Sequence, residues 1–211
     1  IDYDLQIAVY KILEQRIAGI LKQFLRDSKT VDASELTNTN AIPIPIYDVY
    51  NALIENSTID ISHFTADDAT DHEQRVYALF QQKLQQVLAE ISQELDSDDA
   101  AVYNDLSDEM QEYETFIVDK LLSNSLGILS TTAINEKDDT YQAWNDGTIS
   151  LRSYLMYAAS QNWIDVSALT QDDAYLDSQE VYQKLTELIL DRLTTNTTFA
   201  KKLYHYMLLQ D

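Results

Sequence analysis

Asp67-Asp68-Ala69-Thr70-Asp71, followed by His72, gathers the side chains of this sequence best suited to chemistry. Clustered carboxylates are what a hard divalent cation such as magnesium requires, and an imidazole four residues after Asp68 falls on the same face of a helix. Asp67, Asp68, Asp71 and His72 are therefore the candidate metal ligands, and a divalent-metal-dependent helical enzyme is the reading they would support. Magnesium chemistry on a diphosphate also needs cationic groups, yet Arg75 is the only one within ten residues. A second stretch, Thr170-Gln171-Asp172-Asp173, keeps the aspartate pair but has Leu176 where the first has Asp71. Both stretches have the form of a helix start, in which a Thr hydroxyl accepts from a free backbone N–H and carboxylates face the positive end of the helix dipole. Thr65, Asp68, Thr170 and Asp173 are accordingly expected as helix caps. No cofactor is expected and no residue is given a catalytic role.

Other chemistry is thinner. His63, His72 and His205 are too scattered for a metal site, and the chain has no cysteine, which excludes disulfides, thiolate ligands and cysteine nucleophiles. Asp96-x-Asp98 followed by Asp99 opens like a calcium loop, but Ala101 stands where that loop needs glycine and Ser107 where it needs a bidentate Glu. Three glycines cannot build a phosphate-cradling loop. Fourteen tyrosines, among them Tyr141, Tyr154, Tyr157, Tyr204 and Tyr206, suit either the rim of a helical core or a protein interface.

Charge is the most distinctive property. Thirty-six Asp and Glu against fourteen Lys and Arg give a net charge of −22, which repels phosphate backbones and anionic membranes. Direct nucleic-acid binding is not expected. From Leu84 to Asp119 there is no Lys or Arg, and Glu94, Asp98, Asp99, Asp105, Asp108, Glu109 and Glu112 in this span are the candidate partner-binding residues.

The elements that must position these residues are helices. Three glycines and two prolines leave few turn-formers, while 45% apolar content is enough for a core. Leu5, Val9, Ile12, Leu13, Ile17, Ile20 and Leu21 recur at helical spacing and predict a long helix ending near Arg26. Ile42-Pro43-Ile44-Pro45 predicts an extended lead-in to a short helix over Tyr47 to Glu55. Amphipathic helices follow after Thr65 and after Thr170, and Ser97 and Ser107 have the form of further helix starts.

Shifting the chain by 105 residues aligns Ile59 to Tyr77 with Ile164 to Tyr182, with ten identities in nineteen positions. A shift of 108 sets Leu5, Val9, Leu13, Gly19, Ile20 and Leu21 on Tyr113, Ile117, Leu121, Gly127, Ile128 and Leu129. The expected fold is thus an all-α helical bundle of two tandem copies of a three- to four-helix unit, residues 1–97 and 107–211. The copies are expected to close into one compact body, with pseudo-twofold symmetry as a natural arrangement.

On this basis the expected function is a non-catalytic acidic helical module, an adaptor or inhibitor, that binds a basic protein partner. The alternatives are a nucleic-acid mimic that blocks a DNA- or RNA-binding protein and the metal-dependent enzyme above. An acidic surface selected by high salt or low pH would instead carry no information about a partner. No apolar run approaches bilayer length, so the chain is expected to be soluble and off the membrane, cytoplasmic rather than secreted, with homo-oligomerisation open. It starts at Ile1 and not at Met, which leaves an upstream segment open.

Overall fold

The computed structural model describes residues 3–31, 43–130, 132–170 and 176–210. Among them the chain is predominantly helical, with eight α-helices and one two-stranded parallel pair. In order these are α1 (Tyr3–Phe24), β1 (Leu25–Arg26), β2 (Ile44–Pro45), α2 (Ile46–Glu55), α3 (Asp71–Asp96), α4 (Asp108–Thr115), α5 (Asp139–Asn145), α6 (Leu151–Ser160), α7 (Ser178–Thr195) and α8 (Thr197–Gln210). A ten-residue π-helical segment, Phe116–Ser125, follows α4 directly. No helix among the described residues is long and apolar enough to cross a membrane.

The chain divides into two compact units, Ile1–Tyr77 with Tyr204–Asp211, and Ala78–Leu203. In the first, β1 pairs with β2 in register Leu25 to Ile44 and Arg26 to Pro45, and Pro45 leads straight into α2 as the two prolines predict. Pro43 and Pro45, Tyr47 and Ile54 of α2, Ala69, Tyr204 and Tyr206 are buried in it. The Tyr47 hydroxyl donates to the His205 carbonyl at 2.9 Å and lies 2.8 Å from His205 Nδ1, and Phe64 meets Tyr204 edge to face. α1 is different: none of its twenty-two residues is buried.

The second unit holds a larger core. Leu84, Val87, Ile91 and Leu95 line one face of α3 at helical spacing, and Tyr113, Ile117, Leu121, Leu122, Leu151, Leu155, Leu185, Ile189, Phe199 and Leu203 are among the other residues buried in it. Full burial of each such aliphatic side chain contributes about 1.5–3 kcal/mol. Phe199 meets both Tyr113 and Phe116 ring to ring. The wider π winding lets Phe116, Ile117, Val118, Leu121 and Leu122 all be buried, and side chains help it: Ser123 Oγ donates to the Val118 carbonyl and Asn124 Nδ2 to that of Asp119. At the far end of α3, the Leu95 carbonyl accepts from the buried Tyr182 hydroxyl at 2.6 Å and from Arg152 at 2.8 Å, which satisfies a carbonyl that a helix terminus otherwise leaves open.

Three helix starts differ from the sequence expectation. After Thr65 comes no helix; its hydroxyl donates back to the Ser62 carbonyl in the 3₁₀ turn Ile61–Thr65. The third helix begins at Asp71, with Thr70 as its cap: Thr70 and Glu73 exchange side-chain and backbone hydrogen bonds in a capping box. Asp68 therefore precedes the cap rather than joining it. In α7 the cap is Asp177, boxed with Glu180, and not Thr170; Asp173 lies outside the described residues. Ser97 begins no helix, whereas Ser107 caps α4 by accepting from the Met110 N–H. Asp177→Ala and Thr70→Ala are each expected to cost about 1 kcal/mol. Thr65→Ala should cost clearly less in the same urea titrations, and an equal loss would restore Thr65 as the cap.

Candidate functional site

Around the aspartate pair, local turns decide where each group points. Asp60 accepts from the N–H and hydroxyl of Ser62, which hold its carboxyl below the usual range. The 3₁₀ turn then sets the His63 ring between Asp68 (Nε2 to Oδ1, 3.3 Å) and Glu73 (Nδ1 to Oε1, 3.4 Å). Glu73 is lowered by the N–H and hydroxyl of Thr70. Of the proposed ligands only Asp68 enters this arrangement, and its second acid is Glu73, which lies outside the Asp67–Asp71 run. Among the described residues no group of three or more His, Asp or Glu side chains is placed to hold a metal ion. Thr70, which belongs to the same five-residue motif, is occupied in starting the helix.

The acidic span is less bare in space than in sequence. Asp98 Oδ1 lies 2.6 Å from Arg152 of α6, Glu109 Oε1 2.6 Å from Lys83 of α3, and Glu112 Oε2 2.7 Å from Lys202 of α8. Glu109 also accepts from the Tyr113 hydroxyl, and Glu94 accepts from the Ala101 N–H across the turn after α3. All three cations come from outside the span, 26 to 90 residues away in sequence. Asp99, Asp105 and Asp108 are the members of the set that stand exposed without one of these internal ties.

Glu114, unnoticed in the sequence, is the most unusual carboxyl of the unit. It is 1% exposed, and both of its oxygens lack a hydrogen-bond partner. Burial, with the charge of Glu94 nearby, pushes it up to about 8. The sequence signal was available: in α4 it sits one position after the buried Tyr113 and four after the buried Met110, on the apolar face.

This unit carries a cleft of about 440 Å³ between the π-helical segment, the loop after Leu129 and α5. Trp144 stacks on Tyr154 at 5.0 Å and 14°, with Tyr103 edge-on to Trp144, so aromatic faces line one side. Asp119, Lys120, Asn124, Glu136 and Asn145 bring polar groups to the rest. Burial pushes the Tyr154 phenol up, so it stays a neutral hydroxyl. Gly147 allows this corner to form: its φ is +70°, and a Cβ there would run into the Asn104 side chain, whose amide donates to the Asp146 carbonyl. Stacking and hydrogen bonding are what such a lining offers a small ligand. The aromatic cluster joins residues of three separate segments, which periodicity within one helix does not reveal.

Compared with protein-family models, with curated proteins and with solved structures, the chain matches none of them.

Proposed function

We propose that the protein is a non-catalytic acidic interaction module that takes a basic protein partner on the turn between α3 and α4. The observation that carries this reading is the division of labour among the carboxylates there. Glu94, Asp98, Glu109 and Glu112 are tied to groups of the same unit, and the ties fix the frame that presents Asp99, Asp105 and Asp108 to solvent. With a net charge of −22 behind them, exposed carboxylates on a fixed frame favour rapid, salt-sensitive association with a cationic surface.

The same proposal treats the chain as two tandem copies, residues 1–97 and 107–211. Its support is local geometry that repeats at the alignment shift. α2 and α6 have bounds that differ by 105 residues at both ends, and the 3₁₀ turns at Ile61 and Val166 begin the same distance apart. Asp165 accepts from the N–H and hydroxyl of Ser167 as Asp60 does from Ser62.

The test uses the whole chain as bait in an extract of its source, beside D99K/D105K/D108K and a control reversal, E187K/D191K, on exposed positions of α7. One basic protein should be held stoichiometrically by the parent and the control, released at moderate salt, and lost from the triple variant. Retention of that protein by the triple variant at the same salt, or no retained protein at any salt, would overturn the reading.

A further inference from the structure

α1 presents an unusual surface for a chain that otherwise buries its apolar residues. Ten of the twelve large apolar side chains that stand exposed among the described residues lie on it, including Leu5, Val9, Ile12, Leu13, Ile20 and Leu21. A helix in a folded protein owes most of its stability to packing of its apolar face, and a strip of this length left in water is unfavourable. The sequence alignment sharpens the point: Tyr113, Ile117, Leu121, Ile128 and Leu129, which align with Leu5, Val9, Leu13, Ile20 and Leu21, are all at most 2% exposed. Residues of this pattern are core residues when a surface is there to receive them.

We propose that α1 is the contact surface of a homodimer, in which it pairs antiparallel with α1 of a second copy, apolar face against apolar face. An apolar face needs an apolar counterpart, and in a second copy the exposed large apolar side chains are again concentrated on α1. Charge favours the same contact. Residues 3–26 carry Lys11, Arg16, Lys22 and Arg26 against Asp4 and Glu14, which leaves ten basic against thirty-four acidic residues in the rest of the chain. α1 is therefore a place where two copies of charge −22 can meet without acid facing acid. Orientation follows from the helix ends: Asp4 lies in the first turn and Lys22 in the last, so antiparallel pairing sets each beside its opposite, whereas parallel pairing sets like beside like. At 1.5 Å per residue the strip is about 33 Å long, enough for an interface of ordinary size.

This dimer rests on α1 alone and is independent of the basic-partner reading, and salt separates the two. The acidic bodies repel, so added salt strengthens an apolar α1 pair, whereas it releases a partner held by charge. Sedimentation equilibrium of the intact chain should approach twice 24.2 kDa with rising concentration, sooner at higher salt. Ile12→Asp with Ile20→Asp should remain monomeric with the thermal midpoint of the remaining core unchanged, because neither residue is buried. The cysteine-free sequence allows a test of direction. Leu13→Cys, midway along the face, should cross-link to itself under oxidation, while Leu5→Cys should not, because antiparallel pairing centred near Leu13 holds the two copies of residue 5 about 24 Å apart. A chain monomeric at every concentration and salt, a dimer that survives the double aspartate substitution, or cross-linking through Leu5→Cys as fast as through Leu13→Cys would each overturn the proposal.

Discussion

Replacing Glu114 with glutamine is expected to leave stability nearly unchanged at pH 4.5 and to raise it by roughly 3–5 kcal/mol at pH 8 and above. The reason is a mismatch in proton affinity. In the unfolded chain the carboxyl ionises at its ordinary value of 4.5, whereas in the folded chain burial delays ionisation to about 8. Between those two values the folded state holds a proton that the unfolded state has released, so stability falls as pH rises, by about 1.4 kcal/mol per unit. Below the window both states are protonated, and above it both are ionised, so the loss is complete. The glutamine variant keeps the shape but cannot ionise, and its stability should lack this slope. Thirty-six carboxylates add a general repulsion at higher pH, which both proteins share, so the informative quantity is their difference. Urea titrations from pH 4.5 to 8.5 measure it. Parallel curves across that range would mean that Glu114 finds a partner or solvent in the folded protein.

The second large effect is expected at Lys83. Its side chain is 8% exposed, its Nζ lies 2.6 Å from Glu109 Oε1, and Tyr113 donates to the same oxygen at 2.8 Å. Lys83→Met should cost about 2–4 kcal/mol, because it leaves a mostly buried carboxylate with its cation gone. Glu109→Leu in the same background removes the stranded charge and should recover most of the loss, since a buried ion pair and a well-packed apolar pair are of similar stability. A loss below about 0.5 kcal/mol for Lys83→Met would place the pair with exposed salt bridges. Denaturation midpoints of the two single variants and the double variant decide the matter.

Much of the fold was legible because its signals are local. Apolar spacing from Leu5 to Leu21 predicted α1, which ends two residues short of Arg26, and the Pro43 and Pro45 pair predicted the extended entry to α2. The start of α3 was misread because two Thr residues compete: Thr65 precedes an aspartate pair, but Thr70 has Glu73 three residues on, and the reciprocal box satisfies two backbone N–H groups where Thr65 could satisfy one. Asp177 with Glu180 carries the same signature without a hydroxyl. The π winding of Phe116–Ser125 left no trace in a reading tuned to helical periods. The acidic span was legible as composition only. Which carboxylates are tied and which face solvent depends on Lys83, Arg152 and Lys202, and contacts over such sequence distances are fixed by packing. α1 shows the converse: its periodicity promised a buried face, and none of its residues is buried.

The stacking of Trp144 on Tyr154 has a spectroscopic consequence. Trp163 also adjoins that tyrosine, with ring centroids 6.3 Å apart, so both tryptophans of the chain share one aromatic neighbour within the unit Ala78–Leu203. Intrinsic tryptophan emission therefore reports on this unit, whereas far-ultraviolet circular dichroism records every helix, α1 and α2 included. Coincident midpoints from the two signals would describe one cooperative transition. An early dichroic change with unaltered emission would be the melting of the other unit, seen while the aromatic cluster is still intact.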